Sequence, residues 1–241
     1  MPGFPDSLIN LEGEAVRFKP ERKYVGPEEY GIADFLTLQM EIDTNWGIVA
    51  VKASVDEVTR ALDGWMHVER WEKDVRNRRV RTSPDFIYVL RFKHHDWTLV
   101  ISTLSQLGED DPCSRNDREL ALQLSEACAT RTVAFHGQDD FCTMGYQINE
   151  RGECLESSIW EISGGLLQFQ SRIRATPSQI CDVFTGRIFM DRVFKMEGVY
   201  IPPFYLDGDG FHEELATEGF TREDLERVDF LAISQGLAVT A

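Results

Sequence analysis

The stretch FIYVLRFKHHDWTLVIS, residues 86–102, decides the fold class. Phe86, Tyr88, Leu90 and Phe92 recur at every second position, the side-chain period of a β-strand. After Lys93-His94-His95-Asp96 the same period resumes at Trp97, Leu99 and Ile101. Two apolar runs joined by a short polar tip read as an antiparallel hairpin.

Working outward, residues 131–136, 142–148 and 154–161 predict a three-stranded meander. Its second turn is Asn149-Glu150-Arg151-Gly152, where the glycine supplies the positive φ a bulged hairpin needs. Residues 114–129 predict a helix just before it. On the other side, Ile48, Val49 and Val51 favour a strand that ends at Ser54-Val55-Asp56-Glu57, a capping-box sequence. Val58, Ala61, Leu62 and Trp65 continue at helical spacing.

A related grammar returns further on. Leu167, Phe169 and Ile173 precede Thr176-Pro177-Ser178-Gln179, again a cap, an N1 proline and a capping-box glutamine, and Ile180, Val183 and Phe184 follow at helical spacing. The two segments read as related β-α lobes, an internal duplication of 46–104 and 166–241, although any strand entering a capped amphipathic helix gives the same pattern. A last short helix is expected from Thr221-Arg222-Glu223-Asp224, leading into a strand at 230–233. Residues 1–45, punctuated by Pro2, Pro5, Pro20 and Pro27, read as an irregular N-terminal wrap with a strand or short helix near 35–42. The expectation is therefore an α+β protein: mainly antiparallel sheet built of hairpins with interspersed helices, 46–241 forming one domain. No regular βα alternation of the doubly wound kind is present.

Charge bounds the partners. The chain of 241 residues carries 41 acidic against 25 basic residues, a formal net charge of −16. Such a field repels nucleic acid and an anionic bilayer and attracts a basic protein. A hydrophobic fraction of 42% is enough for a substantial core. No basic n-region leads into an apolar run near the start, so no signal peptide is expected, and no apolar stretch approaches the roughly 20 residues that span a bilayer. The five cysteines are widely spaced without a CxxC, which predicts free thiols in a reducing cytoplasm.

Residues 130–152, with TR-x-VAF and D-x(3)-TMGY running into NERGE, resemble a segment of an uncharacterised group of bacterial α+β proteins, and YVLRFKHHDWTLVIS is similar to that group as well. The resemblance implies no activity, cofactor or catalytic residue.

Four groups offer chemistry. His94, His95 and Asp96 present ligand-type side chains at a hairpin tip, and His136 with Asp139 and Asp140 does so across the next turn. Adjacent strand residues point to opposite faces and chelate one ion poorly, so both groups read as polar turns, with a joint metal site on one sheet edge as the alternative. Asp207-Gly208-Asp209 forms a DxD, but Pro202-Pro203 before it argues against the central strand such a motif follows. His212-Glu213-Glu214 begins like HExxH and has Ala216 where the second histidine belongs. The segment from Arg70 to Arg81, with Lys73, Arg76, Arg78 and Arg79, is a local exception to the acidity, interrupted by Glu69, Glu72 and Asp74. It reads as a solvated strand or loop paired internally to acids.

No catalytic, cofactor or metal residue is assigned. The sequence points to a non-enzymatic, cytoplasmic protein-binding protein, such as an immunity or inhibitor protein for a basic partner. Asp139, Asp140, Asp207 and Asp209 are the partner-binding candidates, because turns hold carboxylates in water. The alternatives are a metal-dependent hydrolase or transferase working through loop carboxylates and histidines, and a small-ligand sensor with an aromatic-lined pocket.

Overall fold

The expected hairpin is present as β5 (Asp85–Phe92) and β6 (Thr98–Ser102). The structure is a computed structural model that describes residues 29–30, 45–77, 80–81, 85–102, 115–138, 143–161, 165–175, 186–199 and 224–233. The 35–42 element and the Thr176 cap lie outside the described residues, as do Thr221, Arg222 and Glu223.

Ser54 sets the end of the first long strand, β2 (Asn45–Val51). Its Oγ accepts from the Glu57 amide at 3.3 Å while the Glu57 carboxylate accepts from the Ser54 amide at 2.9 Å, satisfying two donors at the start of α1 (Val55–Trp65). The meander is β7 (Arg131–Gln138), β8 (Thr143–Glu150) and β9 (Glu153–Glu161), preceded by α2 (Arg115–Ala127). Arg151 (φ 51°) and Gly152 (φ 83°) are the two central residues of its second turn; positive φ at both is what a two-residue type I′ hairpin requires. The strands β3 (Val68–Glu72), β10 (Leu166–Ser171) and β11 (Leu225–Ile233) and the helix α3 (Gly186–Glu197) complete the main body. A separate antiparallel pair joins β1 (Glu29–Tyr30) to β4 (Val80–Arg81).

The last strand begins at Leu225, five positions before the predicted 230, so the expected run from a helix at Thr221 is corrected on its described part. Leu225 and Val228 are buried at positions that pair with β5, and this burial favours strand over helix there.

Nine strands form one sheet in the order β10-β9-β8-β7-β2-β6-β5-β11-β3. Each neighbouring pair runs antiparallel. Both faces of the centre are buried, which is why β5 is apolar at almost every position. Phe86, Tyr88, Leu90 and Phe92 enter one core with Phe135, Tyr146, Trp160 and Phe230, against α3 residues Met190, Val193 and Phe194. Ile87 and Val89 enter the other, with Val58 and Leu62 of α1 and Leu120, Ala121 and Leu124 of α2. Full burial of a side chain such as Leu62 contributes roughly 1.5–3 kcal/mol. Helix α1 lies over β5 and β11; α2 lies over β2, β7 and β8.

Candidate functional site

Asp139, Asp140, Asp207 and Asp209 lie outside the described residues, as does the 212–214 segment. The His94–Asp96 tip is described, and it is held by its own backbone. His94 adopts φ 65°, the His95 amide donates to the Phe92 carbonyl at 3.3 Å, and Arg91 Nε donates to the His95 carbonyl at 2.7 Å.

The alternative that brings this tip together with His136 is not met. Val51, at one end of β2, pairs with Thr98 and Thr132, so the tip lies just beyond that end. His136 pairs with Gly47, four residues back along β2, or about 13 Å at strand rise. Among the described residues no three His, Cys, Asp or Glu side chains gather as metal ligands.

The described cations of the basic segment are engaged internally. Arg70 is 3.0 Å from Glu72 and sits over the Phe230 ring, and Lys73 lies 4.4 Å from the centre of the Trp71 ring. Arg76 grips Asp74 with Nε (2.6 Å) and Nη2 (2.9 Å) and donates from Nη1 to the Leu225 carbonyl. The Arg76 hydrogen bonds to its carboxylate hold Asp74 below its ordinary pKa. Nearby, Arg227 clasps the fully buried Asp229 with two 2.8 Å bonds, and Trp71 Nε1 donates to the same carboxylate at 2.9 Å.

Two buried polar sites stand out, one on each face. Under α2, a row runs from Gly47 on β2 through His136 on β7 to Gly145 on β8. A Cβ on Gly47 would fall 1.7 Å from an Asp117 carboxylate oxygen, and one on Gly145 would fall 2.7 Å from the His136 ring. The two glycines thus make room for a buried carboxylate and a buried imidazole. His136 is 1% exposed, and among the described residues neither ring nitrogen has a hydrogen-bond partner. Burial, reinforced by the Arg118 charge, pushes its pKa down to about 3, so the ring is neutral at pH 7.

On the opposite face Glu156, 1% exposed in mid-strand, accepts from Tyr146 Oη at 2.7 Å and from Ser171 Oγ at 2.6 Å, and is paired with Arg174 Nη1. Arg174 Nη2 reaches Glu197 in the last turn of α3, and Glu197 in turn accepts from Arg131 Nη1 at 2.8 Å. Arg131 extends the chain to Glu150 at 3.3 Å. Burial opposes the Arg174 charge, but the Glu156 and Glu197 carboxylates outweigh it and hold its pKa above the ordinary value. Burial next to Glu156 pushes the Tyr146 phenol up, keeping it protonated as a donor. Each charge is matched to an opposite one, the requirement for burying ions at all.

Of these residues the sequence marks only His136, and there as a turn neighbour of Asp139 and Asp140. A signal for each site is present: glycines at 47 and 145, where a strand favours larger residues, and a glutamate at 156 on the same alternating face as Ser158 and Trp160.

Cys128 and Cys154 are free thiols whose pKa values are raised by burial, the opposite of a reactive cysteine. No helix among the described residues is long and apolar enough to cross a membrane. Fold and sites together define an α+β protein with a large antiparallel sheet, two buried polar clusters and an acidic surplus. No family model matches the chain, and no curated protein or solved structure matches it.

Proposed function

We propose that this protein acts by binding rather than catalysis, and that its partner is a basic protein which it captures through its acidic surface. The supporting observation is how seven of the described arginines are held. Arg70, Arg76, Arg91, Arg131, Arg172, Arg174 and Arg227 each lie within ion-pair distance of a carboxylate of this same chain. Internal pairing neutralises acids one for one, so the formal excess of −16 stays uncompensated and is available to a cation from outside. An immunity or inhibitor protein that masks a basic toxin from within the cytoplasm fits this physical type. Asp139, Asp140, Asp207 and Asp209 remain the assigned contact carboxylates, on the argument from turn sequence.

We also propose that 46–104 and 166–241 are related β-α units. The overlay of Lys52-Ala53-Ser54 on Arg174-Ala175-Thr176 supports this.

Titration against a panel of folded cationic and anionic proteins at low salt tests the binding reading. Saturable binding confined to cationic members is the expected result; equal binding of both classes, or of neither, contradicts it.

A further inference from the structure

The nine-stranded sheet ends on two strands of opposite character. At one edge, β3 reads Val68-Glu69-Arg70-Trp71-Glu72, with Glu69, Arg70 and Glu72 charged. Both edge pairings carry a bulge, at Ala232 and Ile233 opposite β3 and between Leu166 and Gln168 on β10, so charge is what separates the two edges. Charged side chains are one way edge strands avoid pairing with other chains. At the other edge, β10 reads Leu166-Leu167-Gln168-Phe169-Gln170-Ser171, with no charge and no proline. Leu167 is 53% exposed and Ile173, just beyond, is 41% exposed.

The backbone of β10 is ready for another strand. The Arg172 amide donates to the Leu155 carbonyl at 2.8 Å, and bonded and non-bonded pairs alternate along an antiparallel ladder. Gln170 therefore bonds inward to β9, while Phe169 and Ser171 turn their N–H and C=O groups away from it. No described strand takes up that edge. Its conformation is held from within: Phe169 packs edge-on against Phe189 of α3 at 5.9 Å, and Ser171 Oγ donates to Glu156.

We propose that the outer edge of β10 receives an extended cationic segment of the partner as an added strand. This rests on the reading above that the partner is basic. Charge selects the occupant. A second copy of this chain would bring another −16, whereas a cationic segment is drawn in. Each nearby cation has an acid beside it: Arg172 lies 3.4 Å from Glu153, and Arg174 is paired with Glu156 and Glu197. Main-chain bonds supply the affinity in such strand addition, and the exposed Leu167 offers an apolar contact beside them.

The test uses a short peptide alternating Lys and Val, and the same peptide N-methylated at every second residue, which keeps the charge and removes half the amide donors. At low salt the unmethylated peptide is expected to bind at least about tenfold more tightly, since one or two lost hydrogen bonds account for that factor. Amide exchange at Phe169 and Ser171 should slow on binding, and Leu167→Lys should weaken the peptide severalfold with the melting temperature unchanged. Equal affinity of the two peptides without protection of those amides overturns edge pairing and leaves charge-driven capture standing. Binding of neither peptide overturns both.

Discussion

Glu156, buried in the middle of β9, is ion-paired with Arg174, which follows the end of β10, and Arg174 is bonded in turn to Glu197 at the end of α3. One guanidinium thus fastens the last hairpin of the sheet to the helix that covers it.

Removing one member of that pair strands the other as a buried, unmatched charge. Arg174→Met is expected to cost about 3–5 kcal/mol, whereas the double variant Arg174→Met with Glu156→Gln should recover part of the loss. Urea unfolding of the two single variants and the double measures the coupling. Additive losses would show that the two side chains act independently.

Ser54→Ala removes an N-cap whose capping box is fully formed, and should cost ~1 kcal/mol. A midpoint unchanged in chemical denaturation, at equal slope, would mean that water replaces the hydroxyl without loss.

His136 makes stability depend on acid in a specific window. Its folded pKa, about 3, lies below the ordinary 6.5, so the unfolded chain binds the extra proton. The native state is therefore favoured above pH 6.5 and loses this contribution as pH falls toward 3. Between pH 7 and 5 the loss should be about 2 kcal/mol. That interval lies above the range in which Asp56, Glu57 and Asp74, whose pKa values are lowered by hydrogen bonds to Arg227, Ser54 and Arg76, begin to titrate. His136→Gln should flatten the wild-type slope there. An unchanged slope would place the acid sensitivity elsewhere.

Local periodicity carried most of the fold. The hairpin of β5 and β6, the meander, the Ser54 cap and the Gly152 turn all follow from residues close in sequence, where alternation and turn chemistry act directly. Strand order does not: β11 inserts between β5 and β3, and nothing within residues 225–233 says so. The same limit hid the surroundings of His136 and the whole of the Glu156 cluster. Arg174 meets Glu156 and Glu197 only because β10 folds back on β9 and α3 crosses the face, and Asp117 meets Gly47 only because α2 lies across β2. His94 and His136 looked close on paper because each adjoins a hairpin turn; the register of β2 sets them at opposite ends of that strand.

Metal removal should leave the fold intact. The cysteines lack zinc spacing, and the described histidines and carboxylates do not converge. Thermal unfolding with and without EDTA is expected to give the same midpoint; a fall of more than a few degrees would restore the metal-dependent alternative.

Capture of a basic partner through surface acid is tested most directly by association kinetics. Stopped-flow mixing with a folded cationic protein, across a series of salt concentrations, compares the wild type with the variant carrying Asn at Asp139, Asp140, Asp207 and Asp209. Screening shortens the reach of charge to about 10 Å at 0.1 M salt, so the wild-type rate should fall by tenfold or more from low to physiological salt. The variant should associate severalfold more slowly at low salt, with its melting temperature unchanged, because rim charges act on approach more than on the folded state. A rate that is independent of salt and identical in the two proteins would contradict the account and leave the acidity as a means of staying dissolved.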